Sequence, residues 1–98
     1  MKPTVAPKHT YGTLGSNVTV ESGESIRVFK ISFYNGTPIP QKFQIQYADG
    51  SATYADVSAG SGDTYVYDVQ FLADFGVRIA SVADADATVS IFHSGGGT

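Results

Sequence analysis

His9 and His93 are the only histidines in the 98-residue chain, and no cysteine accompanies them. Imidazole is the common general base and zinc ligand near neutral pH, but a triad also needs a nucleophile and a carboxylate fixed around it. No Ser or Asp pattern beside either histidine supplies these, so both are expected at the surface. Two imidazoles without a thiolate also make a poor zinc set. Asp74, Asp84 and Asp86 offer oxygen ligands. Calcium takes roughly six to eight oxygens, and neither EF-hand nor nonapeptide spacing is present. Ser58-Ala-Gly-Ser-Gly62 is the one stretch that resembles a phosphate loop. No helix pattern follows it and no lysine stands near it, so it reads as a turn. No catalytic, metal-binding or cofactor-binding residue is assigned, and the protein is expected not to be an enzyme.

Six tyrosines and six phenylalanines pose a different question, because aromatic rings on a sheet face can stack on sugars. Tyr47, Tyr65 and Tyr67 fall at positions whose parity points inward. Tyr34 and Tyr54 are the better candidates for exposure. Asn17-Val-Thr19 and Asn35-Gly-Thr37 have the form of glycosylation acceptors, but their residues suit turns and strands equally well.

The net charge of −3 leaves no footprint for nucleic acid. Five of the six basic residues fall within positions 1–42 against two acidic ones, a net of +3, whereas positions 43–98 hold Arg78 against seven Asp, a net of −6. Such unlike halves favour contact with a neighbouring copy if they become unlike surfaces. No apolar run approaches the ~18 residues of a membrane span, and the start Met-Lys-Pro-Thr-Val-Ala-Pro shows no apolar core of a signal peptide.

The elements that must position these residues are strands. Apolar residues make up 42% of the chain and charged residues only 15%. Period-two alternation recurs, broken by turn residues, and no helical apolar stripe is sustained. Positions 1–10, with Pro3 and Pro7, read as an extended arm, and a first strand over 11–20 is interrupted at Gly15-Ser16. Strand 25–35 sets Arg27, Phe29, Ile31 and Phe33 on an inward face, with Ile26, Val28, Lys30, Ser32 and Tyr34 on the other. The apolar members of that second face, Ile26, Val28 and Tyr34, are expected in a contact between subunits.

Strands are also expected over 41–47, 53–58, 63–69, 76–81 and 87–93. Asp49-Gly50 is a hairpin signal, and Phe71–Phe75 is a corner that crosses between sheets and plugs the edge of the core. The expected core comprises Phe29, Ile31, Phe33, Phe43, Ile45, Val77, Ile79, Val89 and Ile91. Positions 94–98 form a Gly-rich tail. The fold class is therefore all-β: one antiparallel β-sandwich over 11–93, jelly-roll-like or Greek key, with an N-terminal arm over 1–10.

With these strands laid out, the stretch from Ser25 to His93 resembles small β-sandwich virion proteins of tailed bacteriophages, of the capsid decoration or cement type. Three features carry the likeness: Ile31-Ser-Phe-Tyr-Asn35 ending a strand; Ser58-Ala-Gly-Ser-Gly62 before Tyr65-Val-Tyr67; and Phe71-Leu-Ala-Asp-Phe-Gly-Val-Arg-Ile79 followed by Ala83-Asp-Ala-Asp-Ala-Thr-Val-Ser-Ile91. The likeness is one of pattern, without a chemical motif, and neck and tail proteins share it. It implies a structural protein, often trimeric, that is assembled in the host cytoplasm and clamps the major capsid protein at the capsid surface. The arm residues Lys2, Pro3, Pro7, Lys8 and His9, together with Ile26, Val28 and Tyr34, are then the expected partner-binding set. A glycan-binding attachment module of the same fold and a neck or tail adaptor are the alternatives.

Overall fold

The computed structural model describes residues 8–94, which contain nine strands and no helix. The strands are β1 (Lys8–Thr13), β2 (Val18–Glu21), β3 (Ile26–Asn35), β4 (Gln41–Tyr47), β5 (Thr53–Ala59), β6 (Thr64–Tyr67), β7 (Phe71–Ala73), β8 (Gly76–Ile79) and β9 (Ala87–His93). One sheet, sheet A, has the order β1-β9-β3-β6, with β7 also paired to β3; the second, sheet B, has the order β2-β8-β4-β5. All pairings are antiparallel. Apart from the β4–β5 hairpin and the split edge strand β6–β7, consecutive strands alternate between the sheets. This is the jelly-roll order, in which the chain winds between two facing sheets.

The core lies between the sheets, where alternate side chains of each strand meet. Phe33 of β3 and Phe43 of β4 stack across it with ring centroids 4.9 Å apart. Ile31, Ile45, Val77, Ile79, Val89 and Ile91 are also buried, as their parity predicts.

The parity of β3 is where pattern and structure part. The pairing with β9 shifts register between Val28 and Lys30, so Phe29 is an extra residue opposite none. A β-bulge of this kind reverses which side chains point inward on either side of it. Before the bulge Ile26 and Val28 face the core, at 3% and 0% exposure; after it Ile31 and Phe33 do. Phe29 itself is half-buried. The expected subunit contact through Ile26 and Val28 is therefore corrected, because both contribute to the fold's own interior.

Four other expectations are revised. The strand expected over 11–20 is two strands in different sheets, joined by a loop that inserts the fully buried Leu14 into the core. Positions 8–10 of the expected arm are strand instead, because Lys8, His9 and Thr10 pair with His93, Phe92 and Ile91 as the edge of sheet A. Lys2, Pro3 and Pro7 lie outside the described residues. Ser94, expected in the tail, is held to the fold: it donates its N–H to the Arg27 carbonyl and its hydroxyl accepts from the Arg27 N–H, both at 2.9 Å. The 71–75 corner does cross from sheet A to sheet B, but Leu72 and Phe75 face outward and only Ala73 is fully buried there.

Candidate functional site

One side of sheet A faces away from sheet B. Side chains opposite in parity to the buried Val89, Ile91, Ile31 and Phe33 form two complete cross-strand rows: Tyr11, Ser90, Ser32 and Val66, and Thr13, Thr88, Tyr34 and Thr64. A third, shorter row holds His9, Phe92 and Lys30. The imidazole of His9 stacks on Phe92 with centroids 4.6 Å apart, and the Lys30 ammonium lies 5.1 Å from the same ring. Tyr11, Tyr34 and Val66 are exposed. The face carries no carboxylate, although the chain has nine.

The expected partner-binding residues thus divide. His9 and Tyr34 share this outer face, Lys8 lies at its edge strand, and Ile26 and Val28 are interior. His93, expected at the surface, is buried, its Nε2 lying 2.9 Å from the Thr10 hydroxyl oxygen. Its parity with the buried Ala87, Val89 and Ile91 is the signal that points it inward.

A second feature lies at the end of the sandwich where β2, β4 and β7 finish. The β4–β5 turn is closed by Tyr47 and Ala52, and the Asp49 carboxylate accepts the Ser51 N–H at 2.9 Å. These Ser51 hydrogen bonds hold the Asp49 carboxyl below the usual carboxylate range, with Arg78 a minor contributor. Across the gap, the Ser22 N–H donates to the Phe75 carbonyl at 3.1 Å, and Ser25 donates its hydroxyl to Asp74 at 2.7 Å. Phe75 has a φ of 62°, a left-handed conformation that costs an ordinary side chain about 1–2 kcal/mol. Gly76 follows with a φ of 109° and packs against the Val20 carbonyl, which fixes the corner's path.

Together these turns bound a cavity of about 560 Å³ lined by Glu21, Ser22, Tyr47, Ala48, Asp49, Asp74 and Phe75. Tyr47, expected inside, is partly exposed because it forms one wall, its ring packed on Tyr54 at 4.4 Å. Tyr54 in turn contacts Phe71 at 5.0 Å, and its hydroxyl accepts the Asp74 N–H at 3.1 Å. Tyr54 is therefore a support for the cavity rather than an exposed platform. Asp84 and Asp86 sit at the opposite end of the sandwich, so they do not join Asp74. Among the described residues no group of three His, Cys, Asp or Glu is placed to hold one metal ion. Sequence reasoning marked Asp49 as a turn residue and Phe75 as part of a corner but gave neither of them, nor Glu21, a site role, because the three come from separate turns.

The chain matches no family model, no curated protein and no solved structure. Its site is therefore read from geometry alone. No helix among the described residues is long and apolar enough to cross a membrane.

Proposed function

We propose that the protein is a non-enzymatic structural component of a bacteriophage virion, a decoration subunit that docks on the major capsid protein. The observation that carries the docking is the outer face of sheet A. It presents tyrosine, valine and small hydroxyl side chains, with every carboxylate placed elsewhere. Protein interfaces are enriched in Tyr and Phe and depleted in Asp, Glu, Lys and Ser; this face shares the aromatics and the lack of acids through Tyr11, Tyr34 and Phe92, while Lys30, Ser32 and Ser90 depart from the pattern. A face built on four hydrogen-bonded strands also needs little reordering on binding, so less of the contact energy is lost to entropy. The virion context rests on the resemblance of the stretch from Ser25 to His93, supported by the jelly-roll order, an architecture used by capsid and lectin domains.

The same face accounts for the expected self-association. With Ile26 and Val28 interior, Tyr34 is the residue of β3 left to contribute to a trimer, alongside Tyr11 and Val66. A genuine contact should bury at least about 1,000 Å² in total.

Mass spectrometry of purified particles tests the context directly, by detection of the chain in intact virions. The docking face is tested with the double variant Tyr11→Glu/Tyr34→Glu, which puts two carboxylates where the chain has none. Copies retained per particle should fall at least about tenfold, since burying unpaired charge costs well over 1.4 kcal/mol. Equal retention by a folded variant would exclude this face.

A further inference from the structure

We infer that the cavity between the β4–β5 turn and the β7–β8 corner is a receptor for a basic side chain, a lysine or arginine, presented by the protein on which this molecule docks. The identity of the partner rests on the docking reading; the chemistry of the cavity does not.

Two aromatic and three acidic residues line the same space. Tyr47 and Phe75 form apolar walls, and Glu21, Asp49 and Asp74 contribute from the end of β2, the β4–β5 turn and the β7–β8 corner. No basic residue lines the cavity. Arg78, the nearest guanidinium to the turn, lies against Gly50 and donates from Nε to Gln46 at 3.0 Å. The volume of about 560 Å³ is that of a ligand site rather than a packing void.

Charge and width select the occupant. Acidic residues on three sides and no basic one favour a cation over an anion, and an ammonium or guanidinium can also lie over the rings. A neutral guest would desolvate the same carboxylates with less return. A bare metal ion is excluded by spacing, because no three carboxylates among the described residues converge on one point. An ammonium or guanidinium at the tip of a flexible apolar stem fits better, with methylenes against Tyr47 and Phe75 and the charge among the acids. Asp49 and Asp74 already accept from Ser51 and Ser25. Each carboxylate keeps further lone pairs for the guest.

The test uses the full chain, ¹⁵N-labelled, titrated with acetyl-lysine methylamide and acetyl-arginine methylamide. Acetyl-norleucine methylamide and methyl glycosides are the neutral probes. The cationic probes should shift the amides of residues 47–49 and 74–76 in a saturable way that weakens with added salt. Asp49→Asn/Asp74→Asn and, separately, Phe75→Ala should each weaken binding at least about fivefold in folded protein, the scale of one charge or cation–π contact. Two variants acting on different contacts keep the test decisive if either one fails to fold. Equal shifts from norleucine, binding of the glycosides alone, or no shifts at these amides would each overturn the proposal. None of these outcomes depends on particle retention, so the cavity and the docking face can fail independently.

Discussion

The side-chain amide of Asn35, on β3 of sheet A, donates to the main-chain carbonyl of Ala59, on β5 of sheet B, at 3.0 Å. Asn35 is fully buried and its amide is saturated. It also donates to the Ile39 carbonyl at 2.9 Å, and its Oδ1 accepts the Thr37 N–H at 3.0 Å. Thr37 is buried beside it and accepts Gln41 at its hydroxyl, while its carbonyl accepts the Ser61 hydroxyl at 2.6 Å. This network fixes the Pro-rich loop 36–40 without any ladder pairing of its own. It also fills the amide that the Asn35-Gly-Thr37 pattern would offer to a glycan.

Asn35→Ala should therefore destabilise the fold by about 2–4 kcal/mol, because the Ala59 carbonyl and the Thr37 N–H, both in buried bonds, lose their partner at roughly 1–3 kcal/mol each. Asn35→Asp should be comparably damaging, since a carboxylate cannot donate. Urea unfolding measures both; a loss under about 0.5 kcal/mol would mean that water replaces the amide at no cost.

The bulge in β3 makes a second prediction. Ile26→Ala should cost about 2–5 kcal/mol as a core truncation. Phe29→Ala should cost no more than about 1.5 kcal/mol, because that ring is only half removed from water. Deleting Phe29 removes the extra residue and leaves Ile26, Val28, Ile31 and Phe33 in one unbroken inward alternation against β9, so it should be tolerated far better than deleting Ser32, which slips one side of β3 by a residue. Equal losses for the two deletions in thermal unfolding would place the register shift elsewhere.

Two glycines separate backbone strain from steric clash. Gly62 has a φ of 77° with nothing within 4 Å of an added Cβ, so Gly62→Ala should cost roughly 1–2 kcal/mol. At Gly76 a Cβ would also lie 1.9 Å from the Val20 carbonyl oxygen, a main-chain atom that cannot rotate away. Gly76→Ala should exceed Gly62→Ala and also disturb the amides of 47–49 and 74–75 around the cavity. Matching denaturation midpoints for the two variants would contradict the close approach.

Tyr54 gives the fold a dependence on alkaline pH. Burial raises its phenol above the ordinary value of 10.0, although the Asp74 N–H acts in the opposite sense. The unfolded chain therefore releases this proton first, and stability falls as pH rises above about 10 toward the folded value. Between pH 9 and 11 the parent should lose more stability than Tyr54→Phe, which has no phenol to ionise. Parallel pH profiles for the two proteins in chemical denaturation would show that the ring is not desolvated.

Local alternation was enough to locate most strands. Gln41–Tyr47 and Ala87–His93 read from the pattern with the bounds that β4 and β9 have, because each keeps one unbroken period between turn residues. The all-β class follows from the same fact: side chains that alternate every second residue can bury one face only as strands. The chain does not encode its neighbours so locally. A period of two says which residues share a face, but not which strand pairs beside it or where an extra residue slips the ladder. The Phe29 bulge exists only against β9, and it moved Ile26 and Val28 from an expected interface into the core. His93 continues the inward parity of Val89 and Ile91, but its bond to the Thr10 hydroxyl needed β1 beside it, and Leu14 is interior because the chain changes sheet there. Glu21, Asp49 and Asp74 carry no shared signal along the chain; the jelly-roll order alone brings their three turns to one end. Contacts between distant segments are set by strand order and register, and those are properties of the packed sheets rather than of any single stretch of sequence.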